Sequence, residues 1–354
     1  MKNIKEIIKN IAFDLGFDAV GFTSPFDLEE SNNHFLLWRE MGFASDMNYL
    51  KRENPINAKP KKILPDAKSI ITLIVNYYTK APVSPGPDFG RVASYAVGLD
   101  YHKVLRKKVN EFIERIKKET TNHFISRGFS DSVPLLEKSV ARNSGLGFSG
   151  KNTLLINKSL GSYFFICEII SNLDVGAIHE LPLQLNGTCG KCTRCIDVCP
   201  TGTLHATPLL DSRLCISYLT IENRGIIQED LRKKIGNWLF GCDLCQEVCP
   251  YNKKIKETTW KEFKPSSGFG HWIRLKDILS IQSDDEFHQR FCHTALTRPG
   301  RSGLIRNACI ISSNNLSLES LPYLKSLAEN DHDPVIREHA EWALERYKCN
   351  ASLR

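Results

Sequence analysis

The chain has 354 residues, 42% of them hydrophobic and 25% charged, with 47 Lys and Arg against 40 Asp and Glu for a formal net charge of +7. That composition excludes a disordered, collagen-like or low-complexity chain, and the length predicts two or three domains. Nowhere do roughly 18 apolar residues run together, so a membrane-spanning helix is not expected.

The first segment, MKNIKEIIKNIAFDLGFDAVGFT, reads as an amphipathic helix with Ile4, Ile7, Ile8, Ile11 and Leu15 on one face, then a short strand after Gly16. It lacks the apolar run, cleavage site and twin-arginine pair of an export signal, which predicts a cytoplasmic protein. In a reducing compartment the 12 cysteines point to metal or redox chemistry rather than disulfides. SIITLIVNYY (69–78) reads as a buried strand, VSPGPDFG (83–90) as a loop, YHKVLRKKVNEFIERIKK (101–118) as an amphipathic helix and SRGFSDSVP (126–134) as a turn-rich stretch. The alternation suggests an α/β unit over residues 1–180. GLGFSG (145–150) matches G-x-G-x-x-G only superficially, because the helix is expected before it and a strand, KNTLLI, after it.

The cysteine segment carries the sharpest signal. Cys189, Cys192, Cys195 and Cys199-Pro200 are spaced C-x2-C-x2-C-x3-C-P, and Cys242, Cys245 and Cys249-Pro250 repeat the end of that pattern. Cys215 makes eight. In two-cluster bacterial ferredoxins the cysteine beside proline serves the other cluster, which assigns Cys189, Cys192, Cys195 and Cys249 to one [4Fe-4S] cluster and Cys199, Cys215, Cys242 and Cys245 to the second. Structural zinc is the bland alternative, but it ordinarily uses two spaced ligand pairs. Cys167, Cys292, Cys309 and Cys349 fall outside the pattern. The module is placed at 181–255, interrupted by a helix-compatible run, LRKKIGNWLFG (231–241). From 256 to 354 the pattern becomes helical. Leu321, Leu324 and Leu327 are expected to face Val335, Ala340, Ala343 and Leu344 across a DHDP turn in a HEAT-like pair. The fold class is therefore α+β: an α/β domain, a bacterial-ferredoxin-like module and a helical tail.

The order GRVASYAVGLDYH, DSVPLLEKSVARNSGLGFSGKN, the double cysteine motif, CISYLT, GCDLCQEVCPYN and a helical tail resembles the epoxyqueuosine reductases, over nearly the whole chain. The resemblance implies a cobalamin bound in the N-terminal domain, two [4Fe-4S] clusters feeding it, and reduction of an epoxide on the tRNA wobble nucleotide. Asp131 matches the family's proton-donating aspartate. Enclosed by corrin and substrate, its pKa would rise toward neutrality; the bland alternative is a turn cap. The implied cofactor-binding positions are Asn57, Ser94, Tyr95, Asp131, Leu155, Ile166, Ser217, Gly241 and Asp243. Family members often carry arginine at the positions of Asn57 and Ser94. Asp100-Tyr101-His102 approaches a cobalt-ligating D-x-H-x-x-G signature, but Leu105 replaces the glycine, and His102 is read as structural. The implied partners are tRNA and a low-potential electron donor, with the protein a monomer. Among the basic clusters, Arg298, Arg301 and Arg306 are expected to contact the tRNA backbone. The competing readings are a reductive dehalogenase, which would usually carry an export signal and C-terminal cluster motifs, and a plain ferredoxin-type electron carrier.

Overall fold

The computed structural model describes residues 4–51, 59–120, 124–176, 187–205 and 209–351. Its strands are β1 (Ala19–Thr23), β2 (Ser69–Asn76), β3 (Phe89–Val92), β4 (Ser126–Phe129), β5 (Phe148–Ser149), β6 (Leu155–Ile156), β7 (Phe164–Ser171), β8 (Trp238–Phe240) and β9 (Trp272–Arg274). Among the described residues, no helix is long and apolar enough to cross a membrane.

The main sheet has the order β1-β2-β7-β4, and every pair in it is antiparallel. All eight residues of β2 are buried because both faces of the sheet are covered. On one side Ile71, Leu73 and Val75 pack with Ile8, Ile11 and Leu15 of the helix Ile4–Asp14 and its end, and with Leu105, Val109, Phe112 and Ile116 of the helix Tyr101–Glu119. Those helical residues recur at the three- and four-residue spacing that makes one apolar stripe. On the other side Ile70 and Ile74 meet smaller clusters around Leu135 and Ala141.

The architecture differs from the sequence reading in four places. The α/β alternation yields an antiparallel sheet, since its four strands are not joined by right-handed parallel crossovers. The start of the turn-rich stretch 126–134 is edge strand β4, recruited by pairing with β7. The run 231–241 is not one helix: after Glu229–Arg232 and a short 3-10 turn, Gly236 takes φ +62° and the chain enters β8. Burial of Trp238, Leu239 and Phe240 against β3 outweighs their helical spacing. Finally, β8-β3-β9 form one sheet with a strand from each of the segments 1–180, 181–255 and 256–354, so these segments interleave rather than sit in a row. Around that sheet lies the largest core cluster, which continues through the helices Gly300–Asn315, Leu321–Asn330 and Pro334–Ala351. The expected pair forms there, with Leu324, Leu327, Ala340 and Ala343 buried.

Candidate active site

A cleft of about 1010 Å³ opens between the mouth of the helix Tyr101–Glu119, the 131–136 loop and the segment after Cys215. Asp100 caps the helix, its Oδ1 accepting the backbone N–H of His102 at 3.0 Å, so Tyr101 and His102 stand in the first turn facing the cleft. Tyr101 is fixed by stacking on Phe165, centroids 4.3 Å apart. Its hydroxyl donates to Asp131 Oδ2 at 2.6 Å. The His102 ring is tied by Nδ1 to Asp100 Oδ1 at 2.8 Å, which leaves Nε2 3.7 Å from Asp131 Oδ2.

These contacts set the charges. The hydrogen bond to Asp100 and then the ion pair with Asp131 raise the His102 pKa to about 9, against the pull of burial. Burial alone would lift Asp131, but the neighbouring His102 and the hydrogen bond from Tyr101 outweigh it and hold the carboxyl below its usual range. Asp131 is therefore a carboxylate beside an imidazolium. Because the folded pKa of His102 lies above the unfolded value, its pairing stabilises the protein fully below about pH 6.5 and the contribution is lost as pH rises through about 9. The His102→Gln variant is accordingly expected to lose less thermal stability than the parent between pH 7 and 9.5, and equal losses would refute the pairing.

Burial, and then Cys189 and Cys192, push the Cys195 thiol up. Cys249 is raised by burial and by the same two neighbours. Cys215 is raised by burial and Cys199, Cys242 by burial, Cys245 and Cys215, and Cys245 by burial, then Cys215, Asp243, Cys195 and Cys199. Thiols crowded in this way repel as thiolates, and a cationic cluster offsets the repulsion. The two halves share local geometry: Cys195 and Cys245 each sit in a four-residue helix, Arg194–Asp197 and Leu244–Glu247. Cys249, restricted by Pro250, is extended at φ −67°, ψ 126° and turns away from its own helix. Among the described residues no group of three or more His, Cys, Asp or Glu side chains is gathered closely enough to hold a metal ion, so the crossed assignment rests on the cysteine spacing. Of the eight cysteines, only Cys215 lines the cleft.

The remaining candidate residues are placed as follows. Tyr95 and Ser217 line the cleft with Asp131 and Arg298. Ser94 and Asp243 are buried behind that wall, the Ser94 N–H donating to Asp243 Oδ2 at 2.7 Å, so they brace the Cys242 loop against Tyr95. Gly241 has φ +70°, and a Cβ there would come within 2.6 Å of Ala93 Cβ. The Leu155 side chain is buried in the interior with Ile74 and Phe164, and Ile166 is half-buried with its carbonyl taken by Ser130; neither lines the cleft. Asn57 lies outside the described residues.

Two of the three arginines need correction. Arg301 is 3% exposed and pairs with Asp331, while Arg306 is wholly buried and donates to Leu219, Asn223 and Gly225 carbonyls at 2.7 to 2.9 Å. Neither reaches a phosphate. Arg298 does stand at the cleft rim, held by Glu222 at 2.8 and 3.1 Å. Tyr101 and Glu222 were missed as site residues. An asparagine-like cap at Asp100 was the available signal, since it puts the next two residues at a helix mouth.

Comparison with known proteins agrees with this geometry. The family model for a 4Fe-4S double cluster binding domain matches residues 188–252, and the model described as epoxyqueuosine reductase QueG, DUF1730 matches residues 58–132. An epoxyqueuosine reductase of Pseudomonas aeruginosa is 36% identical, the alignment covering 97% of this chain and 94% of that one. A crystal structure of a selenomethionine-labelled epoxyqueuosine reductase superposes with a TM-score of 0.88 at 32% identity, covering 97% of this chain and 90% of the other. Another, of an epoxyqueuosine reductase with an epoxyqueuosine-modified tRNA-Tyr stem loop, gives 0.85 at 31% identity with the same coverage. With a cysteine framework, a cleft and a whole-chain likeness in agreement, this chain belongs to the epoxyqueuosine reductase family.

Proposed function

We propose that the protein reduces the epoxide of epoxyqueuosine at the wobble position of tRNA to the alkene of queuosine, through two [4Fe-4S] clusters and a cobalamin held in the cleft. The observation that carries this reading is that one cleft brings together a cluster cysteine, Cys215, and an acid assembly, Asp131 with Tyr101 and His102. Converting an epoxide to an alkene and water consumes two electrons and two protons, and those are the supplies that converge there. A plain electron carrier leaves the acid assembly without a use.

The cleft suits a corrinoid in size and lining. It lies at the upper end of the usual range for a small-ligand pocket and has an apolar wall of Tyr95, Ile221 and Phe240 facing polar groups on the other side. Tyr95 and Ser217 would hold the corrin, with Gly241 and the Ser94-Asp243 brace keeping the wall thin. A bound cobalamin would supply a strongly reducing cobalt centre for the two-electron step. Residues 1–180 would then be the corrin-binding domain and the terminal helices a HEAT-like tail.

Asp131 is the proton donor. As the substrate nucleotide enters, water leaves, the cost of a carboxylate rises, and a proton on His102 Nε2 can pass to Asp131 Oδ2 and on to the departing oxygen. Tyr101 holds Oδ2 in line. For the base to reach this depth it must be splayed from its loop, as single-stranded RNA readers require. Arg298 at the rim would share its charge between Glu222 and a phosphate, giving affinity that falls with salt. The electron donor, of low potential, would deliver to the Cys189 group, which lies away from the cleft.

The direct test incubates cluster-loaded protein, cobalamin and a low-potential reductant with epoxyqueuosine-containing tRNA, followed by digestion and mass analysis. Queuosine is expected, and its absence with all cofactors loaded would sink the reading. The crossed ligand assignment makes its own prediction. Cys249→Ser and Cys192→Ser should each lose about four irons and the double variant no more, whereas Cys249→Ser with Cys245→Ser should lose about eight. Chemical iron analysis under anaerobic conditions decides it, and the opposite pattern would mean that each motif holds its own cluster.

A further inference from the structure

Asp131 adopts φ +51°, the left-handed region that a residue with a Cβ enters at a cost. Something must hold it there. Its backbone N–H donates to Glu137 Oε1 at 2.7 Å. Glu137 is the first residue of the helix Glu137–Asn143, which packs on β7, so the acceptor is mounted on a rigid element six positions along the chain. Beneath it Glu168 of β7 is 0% exposed. Burial, and next Glu137, push the Glu168 pKa well above the carboxylate range, and neither of its oxygens has a hydrogen-bond partner among the described residues; burial, and next Asp131, raise Glu137 itself to about 8.

The side chain and backbone of Asp131 are thus held from opposite directions. Tyr101 takes Oδ2 from the helix mouth, and Glu137 takes the N–H from behind. Release of the second contact would let the residue relax to negative φ, which swings the carboxyl away from Tyr101 and His102.

Resting on the proposed reaction, we infer that Glu137 is a positioning residue for it: by accepting the Asp131 N–H it locks the 131–136 loop with the acid turned into the cleft. What the role requires is an acceptor oxygen at the end of a side chain of this length. It does not require charge. Three substitutions separate the possibilities. Glu137→Gln keeps reach and acceptor, Glu137→Asp keeps the carboxyl but shortens the reach, and Glu137→Ala removes both.

The experiment measures single-turnover conversion of epoxyqueuosine-containing tRNA by cluster- and cobalamin-loaded variants, with iron content, corrin spectrum and tRNA affinity measured alongside. Glu137→Gln is expected within about threefold of the parent, and Glu137→Asp and Glu137→Ala about 10–100-fold slower at saturating tRNA, with affinity and both cofactors unchanged. Limited proteolysis of the same proteins should cut the 131–136 loop faster in the Asp and Ala variants than in the parent and the Gln variant, a readout that survives poor cofactor loading. Equal rates and equal cutting across the series, or a Gln variant as slow as Ala, overturn the inference. Failure of the unaltered protein to form queuosine would instead strike the proposed reaction, and the proteolysis comparison would still judge the latch.

Discussion

Asp131→Asn is expected to lower single-turnover queuosine formation by about 10²–10⁴-fold, the range that a positioned acid contributes, while leaving iron content, corrin uptake and tRNA affinity unchanged. The amide keeps the shape of the side chain and can still accept from Tyr101. It has no proton to give at neutral pH. It also removes the charge that, with Asp100, raises His102, so the imidazole pKa should fall from about 9 toward its ordinary value. These two effects are separable. If proton delivery is the role, raising the proton concentration recovers little activity in the variant; full recovery at low pH would instead make Asp131 an electrostatic partner of His102. Anaerobic quench-flow on loaded protein, at pH 6 and pH 8, distinguishes them.

The second large effect is on stability. Arg306→Met should destabilise the protein by about 3–5 kcal/mol, because buried carbonyls left without donors cost roughly 1–3 kcal/mol each and several are involved. Arg306 caps the end of the helix Ile216–Ile221, which begins next to the cluster ligand Cys215, by reaching Leu219, Asn223 and Gly225. Its neighbour Asn307 donates to Thr220 and Leu239 on either side of the same joint. Even as an arginine it is affected, its pKa pushed down to about 10 by burial. By contrast Arg298→Ala should change stability by no more than about 1 kcal/mol, since its partnership with Glu222 is open to solvent. Thermal melts of the two variants, loaded with clusters, make the comparison. A similar melting point for both would show that the carbonyls are satisfied by water.

That contrast also explains what could be read from the sequence. Ligand spacing survives folding because the cysteines are a few bonds apart and a prolyl residue restricts its predecessor, so a double-cluster domain was legible, as the family model over residues 188–252 bears out. The stripe on the helix Tyr101–Glu119 was legible for the same local reason. Clustered arginines carry no such guarantee. Arg298, Arg301 and Arg306 lie within nine positions, yet the helix Gly300–Asn315 is buried on every side through most of its length, so nothing in its pattern marked an outer face. The partners of Asp131 were hidden differently: Tyr101 is 30 positions away, and the contact exists only because an antiparallel sheet returns the 131–136 loop to the helix mouth. The run 231–241 misled because β8 depends on a partner strand far upstream.

The sheet β8-β3-β9 has a consequence for biogenesis. While the polypeptide is being made, β3 leaves the ribosome long before β8 and β9, and its backbone stays unsatisfied on both edges until they emerge. The cysteine segments lie between β3 and β9 in the chain, with Cys242–Cys249 emerging between β8 and β9, so metal loading and closure of the whole molecule are expected to become one late event. A fragment ending before Trp272 would keep all eight cysteines of the two motifs and still lack the strand that completes this sheet, and we expect it to be degraded rather than to serve as a free-standing electron carrier.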